Sequence, residues 1–467
     1  MKKSLLLLTT LFLFSGCGGG GGGYAPTSSS ATPTPKPVTP ESLANICTSG
    51  GEKSWVRAHL NDVYLWYDEI VDVVPTSYST TDQYFDALLV KSKDRFSFTS
   101  PQVEIDQYFR SGTSVGYGAT YVTVGDRLRV SYTQPGSPAA LQNLTRGVEI
   151  IAINGVLRSQ MHLDARIAAL YPTTVGTVNQ FTVKDVGATT TRVITLSAVN
   201  IVKAPILSPT IITTSDNKKV GYFAFTDHIV SAENLLIATL TDFKQNGIDD
   251  LVLDVRYNGG GLLYIADEVA SMIAGTAAEN RIFEQATFNR KHPEKTSDPF
   301  YTLRFFPVNI GSLVFPQLNL PRVFVLTGPG TCSASESIIN GLSPFVQVIT
   351  IGGTTCGKPY GMIQKNNCGT AYFAIEFSGV NDGGFGDYAN GIAPTCAASD
   401  DLEHALGDAN ETLLAAALAY RTAGSCPVVS ASNPHANKLE SQSVREVYRA
   451  PWRENRVINH ASNRVGR

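Results

Sequence analysis

Between residue 43 and about residue 111, apolar and aromatic positions recur at three- and four-residue intervals, through Val56, Leu60, Val63, Tyr64 and Tyr67. That period marks one face of successive helices, so residues 44–111 are expected to form a small helical N-terminal domain. Its Trp55, Tyr64, Trp66 and Tyr67 are read as core, because aromatic side chains at helical spacing usually pack against one another. From about residue 112 the texture changes to short β-branched runs between turns, at 121–124, 128–132, 148–153 and 191–196, which predicts a β-rich domain over 112–202. Beyond Lys203, strands at 220–225, 250–255, 322–327 and 346–351 alternate with helices at 232–245, 262–273 and 333–342. Such alternation predicts an α/β domain over 203–424 on a largely parallel sheet. The polar chain over 425–467 is expected to be a poorly ordered tail.

The amino terminus reads as an address. Lys2 and Lys3 precede an apolar run over 5–14, and small Ser15 and Gly16 precede Cys17. This pattern resembles a bacterial lipoprotein signal over 1–16, which implies that Cys17 becomes the lipidated first residue of the mature chain. The glycines at 18–23 and the Ser/Thr/Pro-rich stretch after them make residues 17–43 a flexible tether. The implied location is the bacterial cell envelope, lipid-anchored and facing the periplasm, with the outer membrane favoured over the inner.

Composition narrows the partners. Of 467 residues, 43% are hydrophobic and 16% charged, and 40 acidic against 37 basic side chains leave a net charge of −3. Nothing in that balance suits a polyanion, so no nucleic-acid partner is expected. Beyond the first sixteen residues, no apolar run reaches the roughly 18–20 residues a membrane-spanning helix needs. Setting aside Cys17, the cysteines are Cys47, Cys332, Cys356, Cys368, Cys396 and Cys426, an even set suited to disulfides in an oxidising compartment. Sequence leaves their pairing open; a Cys356–Cys368 bridge, flanking Lys358, is one expectation. No Cys/His cluster has zinc spacing, so no structural metal is expected; no cofactor is expected either.

Two segments carry a resemblance. Gln134-Pro-Gly-Ser-Pro-Ala-Ala-Leu141 and Arg146-Gly-Val-Glu-Ile-Ile-Ala-Ile-Asn-Gly155 resemble the turn, helix and strand of a PDZ domain of the bacterial protease type, with Val148 in place of the usual Asp. The resemblance implies that Gly116, Tyr117, Gly118 and Ala119 form the loop that receives a peptide carboxylate. The strand beginning at Tyr121 would offer an edge for an added peptide strand.

The second segment is Val323-Phe-Val-Leu-Thr-Gly-Pro-Gly-Thr-Cys-Ser-Ala-Ser-Glu-Ser-Ile-Ile-Asn-Gly-Leu342. A strand ending at Thr327, a Gly-Pro-Gly turn and a helix put Ser333 at the carboxyl end of a sheet beside a helix N-terminus, where developing negative charge is stabilised. Ser333-Ala-Ser-Glu336 resembles the nucleophile motif of the S41 serine peptidases, the C-terminal processing or tail-specific peptidases. In that family a lysine base lies 25 residues further on in Thr-x-Gly-Lys, and Thr355-Cys-Gly-Lys358 matches, since 358 − 333 = 25. The resemblance spans roughly residues 50 to 424 and implies a crotonase/Clp-like catalytic sheet.

The chemistry requires such a pair. Serine is a weak nucleophile until a base takes its proton, and lysine is a base only when neutral. With an ordinary pKa of about 10.4, lysine is half-neutral at pH 7 only if its charge is disfavoured by roughly 4.6 kcal/mol, which burial can supply. Leu251-Val-Leu-Asp-Val-Arg-Tyr-Asn-Gly-Gly-Gly261 resembles the family's glycine-rich strand end, implying oxyanion donors from Gly260 or Gly261 together with Ala334. Asp254 and Arg256 are expected to order that loop. The family's orienting Gln or Glu would fall at Met362, so Gln364 is the substitute candidate, reached if 359–361 make a longer turn. His228 and His292 are rival bases without a distinguishing context, and Cys332 is read as a disulfide partner, not a thiol nucleophile.

These observations predict a lipid-anchored serine endopeptidase with a Ser333–Lys358 dyad, whose PDZ domain recruits the free C-termini of protein or peptide substrates. The rival is a catalytically silent PDZ lipoprotein that binds protein tails as an envelope scaffold.

Overall fold

The computed structural model describes residues 39–310, 313–427, 444–446 and 456–458; Cys17, the signal and most of the tether lie outside the described residues. The apolar runs after Lys203 form a six-stranded sheet in the order Ile206–Thr213, Lys219–Phe225, Asp250–Asp254, Arg322–Thr327, Gln347–Gly352 and Cys396–Ala397. The first pair is antiparallel and every later pair parallel. Alternation along these strands feeds two cores. Leu251, Leu253, Val323 and Val325 pack with Leu236, Leu240, Phe243 and Ile338, while Val252, Phe324 and Leu326 pack with Leu413, Leu414 and Ala417. Helices Ala232–Asn246, Leu263–Ala274 and Ala334–Leu342 belong to the first core and Thr412–Ala423 to the second. With both faces covered, the Asp250–Asp254 strand is buried throughout, as parallel strands are.

The predicted helical region contains Ser49–Val63, where the Thr48 side chain accepts from Gly51 N, and Thr81–Leu88, opened by a Thr80–Gln83 capping box. Trp55, Tyr64 and Phe85 join the same core as Phe223 and Ile338, so this region shares its interior with the α/β part. It also supplies a strand the sequence pattern did not announce, Phe98–Pro101, paired antiparallel with Thr370–Phe373. At its start, Pro40–Leu43 forms one helical turn, which cuts into the expected tether; Thr39 precedes it, and Pro40 fits the first helical position.

Residues 113–202 hold their own core, centred on Tyr121, Leu128, Val130, Ile150, Phe181 and Leu196. Strands Ala119–Val124, Arg127–Thr133, Glu149–Ile153, Val178–Lys184 and Arg192–Ser197 form a sheet in that order. The Pro-Gly-Ser-Pro segment becomes a turn and the short helix Pro138–Leu141, with the Ser137 hydroxyl accepting from Ala140 N.

Two expectations need correction. The disulfides are Cys47–Cys368, Cys332–Cys356 and Cys396–Cys426, so Cys356 does not pair with Cys368. Cys368 instead ties the hairpin beside Phe98–Pro101 to the first helices. The polar tail also contains two strands among its described residues, Val444–Glu446 on Ala119–Val124 and Arg456–Ile458 between Gly261–Leu262 and Tyr360–Ile363. Composition misses them because the edges that pair with them lie far away in sequence.

Candidate active site

Three chain turns converge at the carboxyl end of the parallel sheet. The first follows Asp250–Asp254 and carries the glycines; the second follows Arg322–Thr327 and carries Ser333; the third follows Gln347–Gly352 and carries Lys358. Hydrogen bonds to backbone carbonyls lock them together. Cys332 N donates to Asn258 O (3.1 Å), Ser335 Oγ to the same oxygen (3.0 Å), and Cys356 N to Thr331 O (2.9 Å).

Ser333 sits on the turn into helix Ala334–Leu342 with φ 59° and ψ −116°. A non-glycine residue there is strained, and strain of this kind accompanies nucleophiles presented between a strand and a helix. Its hydroxyl caps no helix N–H and has no hydrogen-bond partner, although the residue is fully buried. The helix N-terminus thus leaves the serine oxygen uncommitted.

The residue that organises the site is Glu336. One carboxylate oxygen accepts from Ser333 N (2.8 Å) and Lys358 N (2.9 Å), the other from Gly357 N (2.8 Å) and Thr355 Oγ1 (2.5 Å). The Cys332–Cys356 disulfide spans the same junction, joining the residue before Ser333 to the one two before Lys358. Burial pushes the Glu336 carboxyl above its ordinary range, against the four donors that favour its charge. Glu336→Ala would leave three backbone N–H groups and a hydroxyl without this acceptor, so stability should fall by roughly 3 kcal/mol or more. A urea midpoint equal to wild type would show that the junction is not held this way.

Lys358 is fully buried, with Nζ 3.8 Å from Met362 Sδ and 5.0 Å from the Phe96 ring centroid. Gln364 is placed elsewhere: its amide nitrogen contacts Asn366 Oδ1 (3.0 Å) and Asp106 Oδ1 (3.5 Å). The strand Tyr360–Ile363 begins directly after Pro359, so the turn is short and Met362 meets the lysine.

Among the expected oxyanion donors, Gly260 N is committed to Asn258 Oδ1 (2.9 Å), leaving Gly261 and Ala334 as the pair to test. Gly261 has φ 137°, and a Cβ there would lie 2.4 Å from His228 O, so the turn requires glycine. His228 supports this loop: its Nδ1 faces Asn258 Oδ1 at 3.0 Å. Since that oxygen already accepts from Gly260, Nδ1 must carry the proton. Burial lowers the His228 pKa to about 4 and keeps it neutral. His292 bonds Glu294 and Asp62 away from the site.

Arg256 anchors the glycine turn through Asp254 (2.9 Å), Asp400 (2.8 Å) and Glu411 (2.6 Å). Arg146, from the Arg146–Gly155 segment, reaches Asp400 as well (2.7 Å), so the β-rich region is tied to this turn. Burial opposes the Asp400 charge, yet the two guanidiniums hold its pKa at about 2.

The peptide-loop candidates lie together at the start of Ala119–Val124. Gly116 ends the strand before it; Tyr117 O accepts from Ala139 N (3.0 Å) and Gly118 O from Gln134 N (2.7 Å). Gly118 has φ 80°, and a Cβ there would meet Ser137 Cβ at 2.2 Å, which fixes the loop against the Pro138–Leu141 helix. Of the residues that hold these turns together, Glu336 was visible in the sequence without an assigned role. Its Ser-x-x-Glu spacing is a capping-box signal. Asn258 stood in the quoted glycine-rich segment without a role of its own, and the support that His228 gives this loop had no local signal, because the two residues meet only across the fold.

Residues 51–98 match the model of the peptidase S41 N-terminal domain, and residues 219–394 that of peptidase family S41. A carboxyl-terminal-processing protease of Picosynechococcus sp. is 27% identical over 51% of this chain and 52% of its own. The chloroplastic carboxyl-terminal-processing peptidase 3 of Arabidopsis thaliana is 28% identical over 51% of this chain and 44% of its own. The chain therefore spans about half the length of these curated relatives. A crystal structure from Bacteroides fragilis, described as an S41 protease, superposes with a TM-score of 0.65 and 25% identity, covering 79% of this chain and 97% of that one.

Proposed function

Since the chain belongs to peptidase family S41, we propose that it is a serine endopeptidase that cuts envelope proteins or peptides through Ser333 and Lys358. In this reaction the neutral Lys358 amine takes the Ser333 Oγ proton as that oxygen attacks the peptide carbonyl carbon. The ammonium so formed returns the proton to the departing amine, and water, activated by the same amine, releases the acyl group. The Gly261 and Ala334 amides receive the oxyanion, and the N-terminus of helix Ala334–Leu342 favours its charge.

The observation that carries this reading is the Glu336 carboxylate, which accepts from the backbone of both Ser333 and Lys358. It fixes the nucleophile and the base relative to each other, the positioning that a two-residue catalytic unit needs. Incubating an unfolded protein with the full chain should give new fragments by mass spectrometry, and intact substrate after long incubation would contradict the proposal. Met362 beside the lysine favours the alternative, a tail-binding scaffold, because a thioether is a poor partner for orienting an amine. The scaffold reading expects bound but uncut substrate.

Substrate C-termini are proposed to enter at the PDZ-like region, with the carboxylate at Gly116, Tyr117, Gly118 and Ala119. Substrates with a free carboxylate and an apolar last residue should then be cut several-fold faster than amidated versions; equal rates would remove tail recognition from the account. The chain is further proposed to be lipid-anchored at Cys17 in the envelope. Among the described residues no helix is long and apolar enough to cross a membrane. Cys17→Ser should move the protein from the membrane to the soluble fraction, and unchanged fractionation would refute the anchor.

A further inference from the structure

Two strand edges matter for a peptide entering this protein, and a segment of the chain itself lies on both. The outer edge of Ala119–Val124 pairs antiparallel with Val444–Glu446, in the register Val444↔Val124, Arg445↔Thr123 and Glu446↔Val122. An unpaired edge offers a row of N–H and C=O groups to any extended chain. The direction is also informative: from Val444 to Glu446 the segment runs toward Ala119 and the 116–119 loop. That is the sense in which a peptide must run to bring its carboxyl end there.

The second pairing lies at the candidate active site. Arg456–Ile458 runs parallel to Gly261–Leu262 on one side and Met362–Ile363 on the other, with Val457 opposite Leu262 and Met362. Gly261 is the proposed oxyanion residue, and Met362 is the contact of Lys358 Nζ. The strand thus bridges the glycine turn and the strand that leaves the lysine. Nine residues separate Glu446 from Arg456, and ten extended steps reach about 35 Å.

We infer that residues 444–446 and 456–458 act as a tethered competitor for peptide substrate, occupying the recruiting edge and the cleft edge together. This inference rests on the proposed peptidase reading. Because the competitor is covalently attached, its local concentration is on the order of millimolar, so weak pairing suffices until a better-matched substrate displaces it. The full burial of Ser333 and Lys358 accords with a site closed in this state.

The test uses the full chain with strand-breaking prolines, Arg445→Pro, Glu446→Pro and Val457→Pro combined. Proline removes the ladder N–H and disfavours the pairing. Hydrogen exchange should then show lost protection within 122–124 and 362–363, whether or not the enzyme is active; unchanged protection overturns the occupancy. In active protein, kcat/KM on an unfolded substrate should rise about fivefold or more, and a synthetic peptide of residues 441–458 should bring it back down competitively. An unchanged rate with lost protection overturns the competitor role. Failure of the peptidase reading itself looks different: no fragments, and no Ser333 labelling by a small acylating probe, in either protein.

Discussion

Ser333→Ala is expected to abolish peptide hydrolysis, lowering kcat by about 10⁴-fold or more while the fold persists. The side chain lost is one oxygen with no hydrogen-bond partner in the resting structure, so its removal leaves no buried group unsatisfied. A thermal midpoint close to wild type, together with the lost rate, separates a missing nucleophile from a damaged core. Retention of more than about a tenth of the rate in soluble, folded protein would rule Ser333 out, because a nucleophile cannot be bypassed at that level.

Lys358→Met is the second large effect, expected to lower kcat by roughly 10³-fold or more. Methionine keeps an unbranched, buried side chain against Met362 and Phe96 and removes only the amine. The two variants should not be additive. If serine and lysine act as one unit, the double variant is about as slow as the slower single one. Additive losses would assign Lys358 a role independent of proton transfer from Ser333.

How much of this was legible depends on whether the determinant was local. The parallel sheet was readable because buried strands such as Asp250–Asp254 and Arg322–Thr327 are short apolar runs between helices. The Ser333 and Lys358 segments were readable because motif and spacing sit within one strand-helix-strand unit. Pairing of Cys332 with Cys356 was not, since it follows from two turns meeting at the sheet's carboxyl end. The expectation that a longer turn would bring Gln364 to the lysine fails because Tyr360–Ile363 enters its sheet at once. The helical region looked self-contained by periodicity, yet Trp55 and Phe85 complete a core shared with the sheet. The tail's strands were hidden for a related reason: edge pairing depends on a distant partner, which a polar composition does not reveal.

The most direct test of the central claim is the mass of the intact protein after treatment with a small serine-acylating probe, followed by mapping of the modified peptide. The account predicts one adduct per chain, on Ser333, formed faster when the prolines at 445, 446 and 457 open the cleft and lost in both Ser333→Ala and Lys358→Met. An unlabelled Ser333 in both the wild-type chain and the proline variant, or an adduct that persists in Ser333→Ala, would contradict it.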